Sequence, residues 1–582
     1  MSSWPYNYPP SNPAPAGPGA IAEWGLAIDA PRTIDDPDSF DWHDAADVIV
    51  VGLGGAGVAT ALEGLEQGLD VLALDRYQGG GSSAANGGVF YAGGGTSVQR
   101  EAGVEDDPDN MYAYLKLEVG DVVADETLRD FCATSPATVE WMRGHGVPFE
   151  GSLYSKKTSF PPLDKYLYHP DSSLAAPHRD IAKPAARGHR GVGRNGKKAW
   201  GLGRFIWEPL RDAAIAKGLR FHTQAEVRQL AVDGNGRIIG VRAERVVDPA
   251  IAARIVALVE RAAQWFEKLP PTLPGSQLTY GRGYKLLAKA NALEAENRVS
   301  QWYRAGRGVV LSGGGFIINN PMVAHYAPKY AAGMPNGTLG DTGAGIMLGV
   351  SVGGATALME RVSGWRFLSP PAAWGRAILV NGKGARYVNE THYGATIGDA
   401  MVEHNGGRGY IILDAAARKQ ALKDAFGPEV LPFQRDITLM NCLLTATKAK
   451  SLDALADKLG FDAATLKQTV IDYNRAARGE IADPFHKSPD EMGAIGDGPY
   501  YAIDASVDSK AFPLACMTVG GLVVDEKTGQ VRRPDASLIT GLYAAGRNAV
   551  GLCSHLYVSG LSYADCIYSG RRAARAIAGV RL

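Results

Sequence analysis

From Asp47 onward the chain reads DVIVVGLGGAGVATALEGLEQGLDVLALDR. An apolar, β-branched run enters Gly52-Leu53-Gly54-Gly55-Ala56-Gly57, a helix-period segment follows to Gly68, and a second apolar run ends at Asp75. G-x-G-x-x-G between a strand and a helix is the phosphate-binding turn of a dinucleotide-binding βαβ unit. Gly52 allows the tight turn. Gly54, with Gly55 and Ala56 beside it, lets a pyrophosphate approach the helix N-terminus, and Gly57 lets helix and strand pack closely. Asp75, followed by Arg76, is placed to bind a ribose hydroxyl, and an acid there repels a 2′-phosphate. The expected fold class is α/β, with a Rossmann-like nucleotide domain assembled from both ends of the chain and an α+β catalytic cap.

Composition narrows the class without naming a function. With 46% hydrophobic and 21% charged residues among 582, the chain is globular rather than disordered or fibrous. Sixty Lys+Arg against 61 Asp+Glu leave a net charge of -1, so no basic excess draws the whole molecule to nucleic acid. Five scattered cysteines form no disulfide framework, and eleven scattered histidines show no ligand spacing, so no metal is expected. The start carries no Lys, no Arg and no apolar core within its first twenty residues, so neither a secretory signal nor a transit peptide is expected. Together with the absence of an apolar run of transmembrane length, this points to the cytoplasm, with membrane association as a secondary option.

Six prolines in the first twenty residues predict an extended arm over 1–44, with order beginning near Asp47. A first part of the nucleotide domain is expected over 45–357, a cap over 358–505 and the second part over 506–582. VRQLAVDGNGRIIGVRAE (227–244) reads as antiparallel strands and GRGVVLSGGGF (306–316) as a buried strand entering a Gly loop. Between them 246–305 reads as a helical insertion, in which Ile251, Ile255, Leu258, Ala262, Trp265 and Leu269 share one face. That face is expected to pack on the domain, with a peripheral membrane contact through 251–269 as the alternative. Arg179, Lys183, Arg187, Arg190, Arg194, Lys197, Lys198 and Arg204 form a basic run read as a solvated loop or an anion-docking surface.

The G-x-G-x-x-G turn combined with GGGSSAANGGVFYAGGGT (79–96), ARYVNE (385–390), MTVGG (517–521) and GLYAAGRNAVGLCSHLYVSGLSYADCIYSGRRAA (541–574) resembles the flavoproteins of the fumarate reductase/succinate dehydrogenase group. Within that group the chain is most similar to the 3-ketosteroid dehydrogenases. The resemblance implies FAD. Ser82, Ser83, Asn86, Gly87 and Gly88 would surround pyrophosphate and flavin, and Arg547, Asn548, Leu561 and Ser562 would meet the ribityl chain and pyrimidine edge. Val227, Gly313, Gly314, Asp341 and Gly546 complete the expected cofactor set. Covalent members carry a His in the first Gly-rich segment; SSAANGG has none, so noncovalent FAD is expected.

The resemblance also bears on the substrate. Tyr557 falls on the family's substrate-binding Arg, Cys516 on the His before the TMGG-like motif, and Tyr393 and Gly394 near its acid Arg, so a dicarboxylate lacks its cations. A ketone needs a base for the α-proton, a donor to the carbonyl and a hydride acceptor. Tyr393 is the candidate base, and needs a lowered pKa for that role. Tyr557 is the candidate carbonyl donor, Ser559 and the Gly560 amide complete the polar end, and Tyr91, Tyr500, Tyr501 and Cys516 are expected to line the pocket. Tyr-x-Ser-Gly with Tyr393 three residues after Glu390 resembles the Δ4-(5α) enzymes more than the Δ1 enzymes, which implies oxidation at the 4,5-bond ahead of the 1,2-bond. Two other readings stay open: reduction of an enone or enoate at the same flavin, and a flavin-containing steroid-binding protein without turnover. The expected partners are a hydrophobic ketosteroid and an unidentified electron acceptor.

Overall fold

In a computed structural model that describes residues 5–9, 23–196, 198–266, 268 and 275–580, the protein is a mixed α/β molecule. Alternating apolar residues in DVIVV make Asp44–Val51 a central strand with both faces covered: Val48 and Val50 enter one core, Ile49 and Val51 the other. Parallel strands Val71–Leu74 and Arg220–His222 extend the sheet on one side. On the other side lies the long strand Arg298–Leu311, also parallel. Its first half pairs with Ile238–Val246, and its last three residues with Leu538–Ala544 from the end of the chain. The helix Leu561–Ala578 packs across Gly55–Glu66, where a Cβ on Gly570 would lie 2.4 Å from the Ala56 carbonyl oxygen. Glycine there sets how closely the two helices approach.

A separate four-stranded sheet, ordered Ile378–Val380, Tyr410–Leu413, Tyr500–Asp504, Thr447–Ala449, carries its own apolar clusters and forms the cap. A buried network ties its base to the approach to Tyr393: Glu390 accepts from Lys487 at 2.9 Å and is clasped by Arg386. Burial raises the Glu390 carboxyl, but the Lys487 and Arg386 charges win and hold it down at about 2.

Three expectations need correction. Order does not wait for Asp47: Trp24, Ile28 and Ile34 are buried, and Arg32–Thr33 pairs with Ala231 and Val232. Residues 1–4 and 10–22 lie outside the described residues. The insertion is a pair of helices, Pro249–Phe266 and Ser276–Glu296, but 298–305 already belongs to the long strand. Ile255 and Ala262 are buried, with Ile251 and Leu258 packed beside them, so the apolar face is turned inward; Leu269 lies outside the described residues. The basic run is no continuous surface. Arg187 is buried on Asp106 at 2.7 and 2.9 Å and Arg190 is buried on the Pro162 and Lys165 carbonyls, while Lys197 lies outside the described residues.

Candidate active site

A cavity of about 620 Å3 runs from the glycine-rich turn into the cap. At its nucleotide end Gly52 has φ +94°, and a Cβ on Gly57 would sit 2.0 Å from the Gly52 carbonyl oxygen, so the helix closes on the turn only with glycine there. Gly54, by contrast, has nothing closer than 3.9 Å to its missing Cβ and faces the cavity with Gly55 and Ala56. Asp75 shapes this end: its carboxyl oxygens accept from the Leu53 and Tyr77 amides, each at 2.8 Å. Beside it Arg76 pairs with Glu226, and Val227 lines the wall.

Farther along, the Ser83 hydroxyl accepts from the Gly55 amide at 3.0 Å, and Ser82 donates to Asp341. Asp341 also holds Arg547 at 2.7 Å. Asn86, Gly87, Gly313, Gly314, Gly546 and Ser562 line the cavity with them. Gly57, Gly88, Asn548 and Leu561 do not. Gly88 packs on Leu202, and Leu561 is buried at the start of the last helix. Asn548 lies behind Gly313 and Gly345, with both side-chain polar atoms buried and unpartnered. Arg547 Nη1 and the Tyr563 hydroxyl, on the cavity wall, are also buried without partners. Buried polar atoms left without partners around an open glycine cradle fit a large, polar, phosphate-bearing cofactor.

The other half of the cavity is aromatic. Trp365 stacks on Tyr557 with centroids 5.4 Å apart and planes 11° apart, and Phe367 meets Tyr393 edge-on at 5.6 Å. Phe160, Trp374, Phe433 and Phe512 extend the wall. Set into it are the hydroxyls of Tyr393, Tyr557 and Ser559; the Tyr557 oxygen accepts from the Gly560 amide at 3.3 Å, and from behind the wall Tyr168 donates to Ser559 at 3.4 Å. Tyr393 is held from behind, its own amide donating to Ser172 at 2.9 Å. Arg76 and Arg547 are the only cations lining the cavity among the described residues, and each is paired with an acid. Among the described residues lining the cavity, no unpaired cation is left for a dicarboxylate.

The surroundings do not lower a tyrosine pKa as a base would require. Burial pushes Tyr393 well above the ordinary phenol range, with the Ser559 hydrogen bond pulling the other way, and burial likewise raises Tyr557 against the Gly560 amide. Both stand as neutral phenols.

Four expected pocket residues are elsewhere. Tyr91 is fully buried in the core and donates to Asp171 at 3.1 Å. Tyr500 and Tyr501 belong to the cap sheet, Tyr501 lying 4.7 Å under the Arg418 guanidinium. Cys516 alternates with Ala515 and Met517; those two face the cavity and strand periodicity turns the thiol into the core. Sequence reasoning missed Tyr168, on a two-residue strand without a motif, and the aromatic wall. For the wall one signal existed: Trp365-Arg366-Phe367 alternates as a strand does, with Arg366 buried behind it on the Phe512 and Ser506 carbonyls.

Residues 47–560 match the family model described as FAD binding domain. The chain is 36% identical over 513 residues to a 3-oxo-5-alpha-steroid 4-dehydrogenase of Comamonas testosteroni, covering 88% of this chain and 94% of that protein. It is 25% identical over 590 residues to a 3-oxosteroid 1-dehydrogenase of Mycolicibacterium smegmatis, covering 88% and 93%. Among solved structures it matches the 3-ketosteroid-delta4-(5alpha)-dehydrogenase of Rhodococcus jostii RHA1 in complex with 4-androstene-3,17-dione, at 29% identity and a TM-score of 0.76 over 94% of this chain and 100% of that one.

Proposed function

This chain belongs to the FAD binding domain family, and from that premise we propose that it is an FAD-dependent 3-ketosteroid dehydrogenase that introduces the 4,5-double bond of a 5α-3-ketosteroid. The observation that carries the reading is the set of hydroxyls of Tyr393, Tyr557 and Ser559 in an aromatic cavity continuous with the cofactor cradle, with Tyr168 hydrogen-bonded to Ser559 behind them. A flat, apolar ring system fits such walls, and a carbonyl fits the hydroxyls.

Gly54, Ser82, Ser83, Asn86, Arg547 and Ser562 would hold the cofactor. FAD, when bound, supplies the acceptor for the hydride that leaves C5. The rest of the chemistry falls to the protein. The Tyr557 hydroxyl donates to the C3 carbonyl, with the Gly560 amide alongside, and stabilises the charge that develops on oxygen as C4 loses its proton. Tyr393 takes that proton and at the same time passes its own to Ser559, which lines the cavity and releases the surplus proton through it to solvent. A neutral phenol serves this exchange, so no free tyrosinate is needed. Trp365 and Phe367 orient the two phenols and keep water from them. The reaction leaves reduced flavin, and an external electron acceptor must reoxidise it. Five free, buried cysteines fit a reducing compartment. No helix among the described residues is long and apolar enough to cross a membrane.

The test is to mix the FAD-loaded protein anaerobically with a 5α-3-ketosteroid and, separately, with a 4-ene-3-one, and to follow the visible flavin band. Bleaching by the saturated ketone is expected. Bleaching by the 4-ene-3-one alone would move the reaction to the 1,2-bond, and bleaching by neither would end the dehydrogenase reading.

A further inference from the structure

The two phenols of the site stand on segments far apart in the chain, and one short loop, 170–172, holds both segments. The Pro170 carbonyl accepts from the Ser559 amide at 3.2 Å, and the Ser172 hydroxyl accepts from the Tyr393 amide at 2.9 Å. The loop is propped in turn by the helix Pro108–Val119: the Ser172 amide donates to the Tyr114 hydroxyl at 2.9 Å, and that hydroxyl donates to Glu118 at 2.7 Å. The same helix end meets the Tyr557 segment directly. There the Glu118 carbonyl accepts from the Leu556 amide at 3.1 Å and lies 2.8 Å from the His555 ring nitrogen Nδ1. A second link runs from the Glu118 side chain toward Tyr393, since His178 stands 3.6 Å from the carboxyl oxygen that Tyr114 meets and packs edge-on against His392 at 5.0 Å.

Glu118, Tyr114 and Ser172 are all buried, and none of them lines the cavity. One Glu118 carboxyl oxygen has no hydrogen-bond partner. An acid buried in this way costs free energy that an apolar side chain would not, so filling space does not account for it. Resting on the dehydrogenase reading above, we propose that Glu118, Tyr114 and Ser172 are positioning residues, linked in one hydrogen-bonded chain that fixes the Tyr393 phenol against the Tyr557 phenol so that both act on the same bound steroid. A reacting group displaced by about 1 Å loses about 10^2-fold in rate, while the apolar contacts that bind a flat ring system are kept. Cutting the chain therefore slows the chemical step and spares binding.

The experiment mixes the FAD-loaded wild type, Glu118→Met, Glu118→Gln, Tyr114→Phe and the double variant Glu118→Met/Tyr114→Phe anaerobically with 5α-androstane-3,17-dione. Glu118→Met and Tyr114→Phe are each expected to lower the limiting rate of flavin bleaching about 10–100-fold, with the steroid dissociation constant changed less than about twofold. Glu118→Gln keeps an acceptor oxygen for the Tyr114 hydroxyl and is expected to restore most of the rate. The double variant should be no slower than the slower single variant, because both cuts break the same chain. An unchanged rate, a loss that Glu118→Gln does not restore, or a loss that falls on the dissociation constant would overturn the proposal and leave the chain a part of the core. Should Glu118→Met not fold, Tyr114→Phe and Ser172→Ala carry the comparison, with the same split between rate and binding expected of both. If the wild-type flavin is not bleached, the dehydrogenase reading fails. The positioning is then decided by hydrogen exchange of a peptide spanning the Tyr393 amide: faster exchange in Tyr114→Phe than in wild type and Glu118→Gln supports it, and equal exchange overturns it.

Discussion

At the scale of single residues, burial keeps the phenols of Tyr393 and Tyr557 neutral, and the proposed chemistry runs through them. On the proposed mechanism Tyr393→Phe removes the atom that would receive the C4 proton and is expected to slow anaerobic flavin reduction by about 10^2–10^4 while FAD stays bound. Tyr557→Phe removes the proposed donor to the carbonyl and is expected to cost about 10^2–10^3 in the same measurement. If Tyr393→Phe reduces flavin at the wild-type rate, the proton leaves by another group. A second residue-scale prediction concerns Glu118. Burial lifts its carboxyl from 4.5 to about 7, even though the Tyr114 hydroxyl donates to it at 2.7 Å. Between those values the unfolded chain releases a proton that the folded protein keeps, so stability falls as pH rises from about 4.5 to 7 and then levels. The loss is of the order of 3 kcal/mol. Glu118→Gln should abolish it, which urea unfolding of the FAD-loaded protein at pH 5 and pH 8 would reveal as a flattened pH dependence.

At the scale of elements, two pieces carry opposite expectations. Gly57→Ala puts a methyl group against the Gly52 carbonyl and forces helix Gly55–Glu66 away from its strand. The variant is expected to purify with little or no flavin, measured as the ratio of visible to ultraviolet absorbance. The helical pair Pro249–Phe266 and Ser276–Glu296 contributes no residue to the cavity wall among the described residues. Strands Ile238–Val246 and Arg298–Leu311 already meet with Val246 opposite Arg298, so a short Asn-Gly turn can replace 247–297. That protein is expected to keep FAD and steroid-dependent bleaching; losing both would show that the pair supports the site. How elements were read from sequence follows the same division. The βαβ turn was legible because glycine spacing and two apolar runs are local signals. The start of Arg298–Leu311 was not, because RVSQWYRAGR carries no strand signal of its own and becomes a strand by pairing with Asp44–Val51 and Ile238–Val246.

At the scale of the whole molecule, the cradle is shared by distant parts of the chain, so the cofactor should act as a staple between them. Removing FAD is expected to lower Tm, and adding it back to raise Tm with the logarithm of its concentration, worth about 4 kcal/mol at a thousandfold excess over Kd. FMN, which lacks the adenosine half, forgoes Asp75, Arg76 and Val227 and should stabilise far less; equal protection by both would remove the adenosine end from the site. Sequence alone settled the nucleotide turn and the class of the fold, since glycine spacing between two apolar runs is itself the chemistry, whereas Tyr393 and the Tyr557-Val558-Ser559-Gly560 motif were singled out only through the family resemblance. It did not settle the pocket. Tyr91, Tyr500, Tyr501 and Cys516 have the right residue types but pack away from the cavity, whereas Trp365, Phe367 and Gln434 reach it from segments with no motif, and Tyr168 reaches Ser559 from another. Which phenols meet, and that burial keeps them neutral, are properties of packing between segments hundreds of residues apart, and those emerge only when the sheet, the cap and the chain's two ends close on one another.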